Sequence, residues 1–102
     1  NTIQPFVRIE DNVILWSGNH IGHHSTIKSH NFISSHVVVS GQCTIEPNCF
    51  IGVNSTIGHM VTIAEENLIG AGSVITKSTE KGAVYVPAKT VKLDKPSSSF
   101  KL

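Results

Sequence analysis

The chain has 102 residues, enough for one domain with one core. Eight Lys and Arg against seven Asp and Glu give a formal net charge of +1, which argues against nucleic acid or an anionic membrane as a default partner. Every apolar run is broken by Ser, Gly, Asn or His before it is long enough to span a bilayer, so no membrane insertion is expected. No signal peptide opens the sequence, and Asn1 stands where an initiator Met would be, so a missing N-terminal portion is expected. Cys43 and Cys49 are too few for a disulfide framework; they read as small buried thiols and fit a reducing cytoplasm.

In chain order, a branched aliphatic recurs at every sixth residue: Ile3, Ile9, Leu15, Ile21, Ile27, Ile33, Val39, Ile45, Ile51, Ile57, Ile63, Ile69 and Ile75. A helix would turn that position to a new face at each step, so the pattern excludes it. A solenoid of short strands fits, with this residue (position one) pointing inward. Position five is small or β-branched, as at Val7, Ser25, Val37, Cys43, Cys49, Ser55 and Val61. Side chains alternate along a strand, so positions five and one point in while six and two point out. Positions three and four form corners, where Gly18, Gly41, Pro47, Asn48 and Asn54 fall. The repeat ends near Thr76, and Thr76 to Lys81 reads as a polar loop. An all-β solenoid domain over 1–80 is predicted, followed by an extension over 81–102 whose end, from Leu93, is an irregular tail.

The stretch Asn19-His20-Ile21-Gly22-His23-His24-Ser25 resembles the active-site segment of hexapeptide-repeat acyltransferases, among them the bacterial sugar N-acetyltransferases and the sialic-acid O-acetyltransferases. The run Asn48-Cys49-Phe50-Ile51-Gly52-Val53-Asn54-Ser55 is similar to the sugar N-acetyltransferases without gaps back to His23, and Gly82 to Lys89 resembles the segment after their last coil. The resemblance implies a left-handed parallel β-helix of about four coils, an exception to the usual right-handed crossover. It also implies three strands per coil, so that residues eighteen apart stack.

With that stack, Arg8, Thr26, Thr44 and Thr62, flanked by Glu10, Lys28 and Glu46, form a solvent-exposed face. Ile14, Phe32, Phe50 and Leu68, with Trp16 nearby, form an outward apolar column that something should cover. His20, Val38, Thr56 and Val74 make an intermediate face. One polar and two stickier faces suit a closed homotrimer.

His23 falls on the catalytic His of the resembled family and occupies an outward corner. Imidazole is a natural base near neutral pH, able to take a proton from an amine or hydroxyl attacking a thioester. Gly41, eighteen residues on, stacks over it and offers a bare N–H to an oxyanion. The column continues through His59 and Lys77, which would border the donor channel. The family follows its His with Asp or Glu, whereas here His24 follows. A carboxylate would fix the tautomer and stabilise the imidazolium; a neutral His24 is not expected to do so. Either another acid orients His23, or the base is His24 or His36.

By resemblance the donor is acetyl-CoA and the acceptor a sugar or nucleotide sugar, with no metal required. Small residues at Ser35, Val53 and Ala71 would leave room for a pantetheine arm, with Phe32 as a wall and Lys89 near the phosphates. His20 and His36 are candidates for the acceptor pocket. Gly70-Ala71-Gly72 lies inside the repeat and is no dinucleotide loop. The rival readings are a γ-type carbonic anhydrase, for which His59 lacks a downstream His partner, an ice-binding face built on the Thr column, and a structural subunit.

Overall fold

The computed structural model describes residues 1–101. Fourteen two-residue strands, numbered in chain order, stack into three parallel sheets. The first sheet holds β1 (Thr2–Ile3), β4 (His20–Ile21), β7 (Val38–Val39), β10 (Thr56–Ile57) and β13 (Val74–Ile75). The second holds β2 (Arg8–Ile9), β5 (Thr26–Ile27), β8 (Thr44–Ile45) and β11 (Thr62–Ile63). The third holds β3 (Ile14–Leu15), β6 (Phe32–Ile33), β9 (Phe50–Ile51), β12 (Leu68–Ile69) and β14 (Val84–Tyr85). These are the three faces expected from the eighteen-residue stack. The expected left-handed parallel β-helix is the fold, and the described chain, tail included, extends 50 Å along its longest axis.

Strands this short are held by bonds between coils: the Thr26 N–H donates to Cys43 O and the Lys28 N–H to Ile45 O, both at 2.9 Å. Between the sheets runs one core. Ile21, Ile27, Ile33, Ile45, Ile51, Ile57, Ile63 and Ile69 are fully buried, each contributing roughly 1.5–3 kcal/mol. At one end of the prism Ile3 and Ile9 are exposed.

Position five has a second task beyond filling the core. Its polar side chains bridge coils: Ser25 Oγ donates to Ser40 O at 2.9 Å and accepts from the Cys43 N–H at 3.1 Å. Asn31 donates from Nδ2 to Lys28 O and Glu46 O, both at 2.9 Å, and accepts from the Cys49 N–H at 2.8 Å. Cys43 Sγ and Cys49 Sγ donate to Gly58 O and Ala64 O at 3.0 and 3.1 Å. The two thiols are free and buried, as expected, and burial pushes both thiol pKa values up. The sequence pattern missed the buried Asn19, Asn31 and Asn67 at this position.

Position four turns the corner in a left-handed conformation. Ten non-glycine residues there have positive φ, from Phe6 (63°) to Glu66 (58°), His24 (58°) among them. From His24 onward each bonds its amide to the coil below, as His24 does to Pro5 O at 3.2 Å.

One expectation, the number of coils, changes at the C-terminal end. The first and third sheets carry five strands rather than four, so a partial fifth storey exists. The third sheet's fifth strand, β14, comes from the segment read as extension: Val84 pairs with Leu68 and Tyr85 with Ile69. The second sheet ends differently. Ser78 Oγ and Thr79 Oγ1 accept from the Thr62 and Ala64 amides at 3.0 and 2.8 Å, where a further strand would otherwise bond.

Candidate functional site

His23 follows β4 and stands on the edge between the first and second sheets. Gly41 occupies the same edge one coil above. A Cβ placed on Gly41 would lie 2.6 Å from His23 Nε2 and 2.8 Å from Cε1. The imidazole therefore fills the space that any other residue at 41 would claim. His59, one coil higher, brings its ring to 6.4 Å from His23, centroid to centroid. Gly41 is buried between these two exposed histidines. Its N–H has no acceptor among the described residues. Backbone donors of this kind are suited to a developing negative charge.

The rest of the edge fixes this arrangement. Gln4 Oε1 accepts the His23 backbone N–H at 2.9 Å. Gly22 lets the next coil sit close, because a Cβ there would meet Ser40 C at 2.5 Å and Gly41 N at 2.6 Å. Phe6 stacks on His24 with ring centroids 5.0 Å apart. Gln4, Phe6 and Gly22 were not singled out from the sequence. The stack carried the signal, since Gln4 lies eighteen residues below Gly22 and Phe6 eighteen below His24.

His23 Nδ1 and His24 Nδ1 are 3.0 Å apart with the rings edge-on. A neutral imidazole carries one acceptor nitrogen, so His24 is able to receive a proton donor from His23. No carboxylate contacts the His23 side chain among the described residues.

The other candidates stand elsewhere. His36 turns the edge between the third and first sheets, its ring over Gly18, where a Cβ would lie 2.4 Å from Nδ1. Within one chain it does not join His23. His20 is half-buried in β4, between Thr2 and Val38. Phe32 stacks on Phe50 at 5.3 Å and tilts against Trp16 at 6.2 Å, continuing the outward apolar column. Val53 and Ala71 are exposed on the edge that also bears His36. Beside Ala71 opens a cleft of about 670 Å³ between Gly72–Ile75 and Val84–Ala88. Lys89 is exposed and directly follows that lining. Among the described residues no three His, Cys, Asp or Glu side chains gather as metal ligands, and no helix is long and apolar enough to cross a membrane.

A parallel coil of six-residue steps defines the class by its fold, and the sequence agrees. Residues 3–41 and 42–77 match the bacterial transferase hexapeptide (six repeats) family, and the chain belongs to it. Its fold is similar to that of PerB from Caulobacter crescentus, solved with CoA and GDP-perosamine (TM-score 0.65, 18% identity, covering 84% of this chain and 50% of that one). Two histidine mutants of the perosamine N-acetyltransferase from Caulobacter crescentus, also with CoA and GDP-perosamine, match over the same shares at 17% identity, with TM-scores of 0.59 and 0.56. This chain thus spans about half the length of those proteins. Comparison with curated protein sequences finds no match.

Proposed function

We propose that this chain is the β-helical part of an acetyl-CoA-dependent acetyltransferase acting on an amino or hydroxyl group of a sugar or nucleotide sugar. The observation that carries it is the packing of His23 Nε2 over Gly41, whose amide is uncommitted. In the reaction, Nε2 takes the proton from the acceptor nitrogen or oxygen as that atom attacks the thioester carbonyl. The Gly41 N–H receives the carbonyl oxygen as charge gathers on it. When the carbon–sulfur bond breaks, the departing thiolate leaves with the proton held on Nε2.

The small residues at Val53 and Ala71, with the neighbouring cleft, support a channel for the pantetheine arm, and Lys89 directly follows the cleft's last lining residue, Ala88. That edge is not the edge of His23. A donor touching both lies between two copies, which supports a homotrimer with Phe32 and the apolar column buried at its contacts. In this reading His59 borders the thioester end, and His20 with the His36 of a neighbouring copy lines the acceptor. CoA and GDP-perosamine in the similarly folded Caulobacter crescentus structures support the donor and the acceptor class.

The test is a panel of amino-sugar and sugar acceptors with acetyl-CoA and the full-length protein, following the released thiol. His23→Ala should lower turnover by roughly 10²–10⁴. Near-normal turnover in that variant moves the base to another histidine and ends this assignment.

A further inference from the structure

The family resemblance implied a carboxylate after the base, and this chain has none there. The structure instead puts a second imidazole at 3.0 Å from His23 Nδ1. Only one nitrogen of that pair can hold the shared proton. If His23 is to accept at Nε2, its own proton must sit on Nδ1, and His24 must then accept at Nδ1.

We propose that His24 is a positioning residue whose Nδ1 lone pair holds His23 in the tautomer with a bare Nε2. The inference rests on the reading of His23 as base. It takes its force from geometry on three sides. Nδ1 of His23 faces His24, and Nε2 faces Gly41, so the two nitrogens are already assigned different neighbours. Phe6 stacks on His24 from the coil below and fixes its plane. The left-handed backbone at His24, with its amide bonded to Pro5 O, sets where the ring begins.

A consequence for pH follows. A proton gained by His24 turns its Nδ1 into a donor, and His23 must then accept there and carry its own proton on Nε2. A proton gained by His23 occupies Nε2 directly. One proton on either ring therefore removes the free lone pair at Nε2. The groups packed around it are Gln4 and Phe6 from below and Gly41 and Gln42 from above, all uncharged. His59, a storey higher, is the other titratable ring in contact.

The test uses the full-length protein with ¹⁵N-labelled imidazoles and three variants. Long-range NMR couplings should show His23 protonated at Nδ1 and bare at Nε2 above the imidazole titration. His24→Asn supplies an oxygen acceptor and tolerates the backbone, so it should keep that tautomer and activity within a few-fold. His24→Phe keeps the stack on Phe6 but has no acceptor. It should lose the tautomer preference and lower kcat on the order of 10²-fold with KM little changed. His24→Asp adds a negative charge that favours imidazolium, so the acid limb of kcat/KM should move to higher pH than in the wild type.

Equal losses in the Asn and Phe variants, or a His23 tautomer unmoved by His24→Phe, overturn the proposal. Should the Phe variant fail to fold, the Asp variant decides: an unmoved acid limb overturns the proposal as well. Full activity in His23→Ala instead removes the base reading, while the NMR result still reports on the pair.

Discussion

Gly41 and His23 exclude one another's alternatives: the atom that would make residue 41 an alanine lies 2.6 Å from Nε2 of the imidazole. The obstacle is the end of a side chain that can rotate, so Gly41→Ala should fold with nearly unchanged stability. It should displace the ring, and turnover is expected to fall on the order of 10²-fold. Equal activity in this variant would separate the glycine from the chemistry.

Gly22→Ala should do the reverse. Its Cβ meets the Ser40–Gly41 backbone at 2.5 to 2.7 Å, which cannot swing away. A stability loss of about 1–3 kcal/mol is expected from such overpacking, read by chemical denaturation. Activity should fall with it, because the displaced peptide carries the Gly41 amide.

Asn31→Ala should be more costly than a surface change. The side chain is buried and satisfies the Cys49 amide and the carbonyls of Lys28 and Glu46. Glu46 O keeps the Cys49 Sγ as a donor at 3.3 Å, but leaving the Cys49 amide and the Lys28 carbonyl unpaired costs about 1–3 kcal/mol each where no water reaches them, so a total near 3 kcal/mol is expected. An unchanged denaturation midpoint would mean that water replaces the amide.

Glu66→Asn should stabilise the protein by about 0.5–1 kcal/mol. Glu66 holds φ at 58° on an exposed corner of the second and third sheets, away from His23. Asparagine adopts this conformation at lower cost. A fall in melting temperature would show that the Glu66 side chain does more there than turn the chain.

Cys43 and Cys49 should resist thiol reagents in the native protein and react only on unfolding. Both are buried, their protons point at carbonyls of the next coil, and their pKa values are raised by burial. Absorbance with a disulfide reagent, with and without denaturant, checks this. It also establishes that free thiol counted during turnover comes from the donor.

The prism was legible because its cause is a strict six-residue step, which places the aliphatics from Ile21 to Ile69 in the core and sorts the three faces. The stacking of Gly41 over His23 followed from the same arithmetic. What the step does not contain was missed. The bonding of Asn31 and Cys43 between coils depends on which side-chain atoms reach a carbonyl, not on spacing. β14 departs from the eighteen-residue register, with Val84 sixteen residues beyond Leu68, because the chain skips the second sheet. The role open to His24 hung on a ring orientation set by Phe6, which lies far away in sequence.

The hydroxyls of Ser78 and Thr79 have a consequence for what this protein does in a crowded solution. Parallel ladders are templates: a strand with bare amides invites the next chain to continue the pattern, and repeated invitation yields fibres. On the second sheet these two side chains occupy the donors of the last rung, as a chain terminator occupies the growing end of a polymer. Growth of that ladder stops at a molecular stopper made from the protein's own loop.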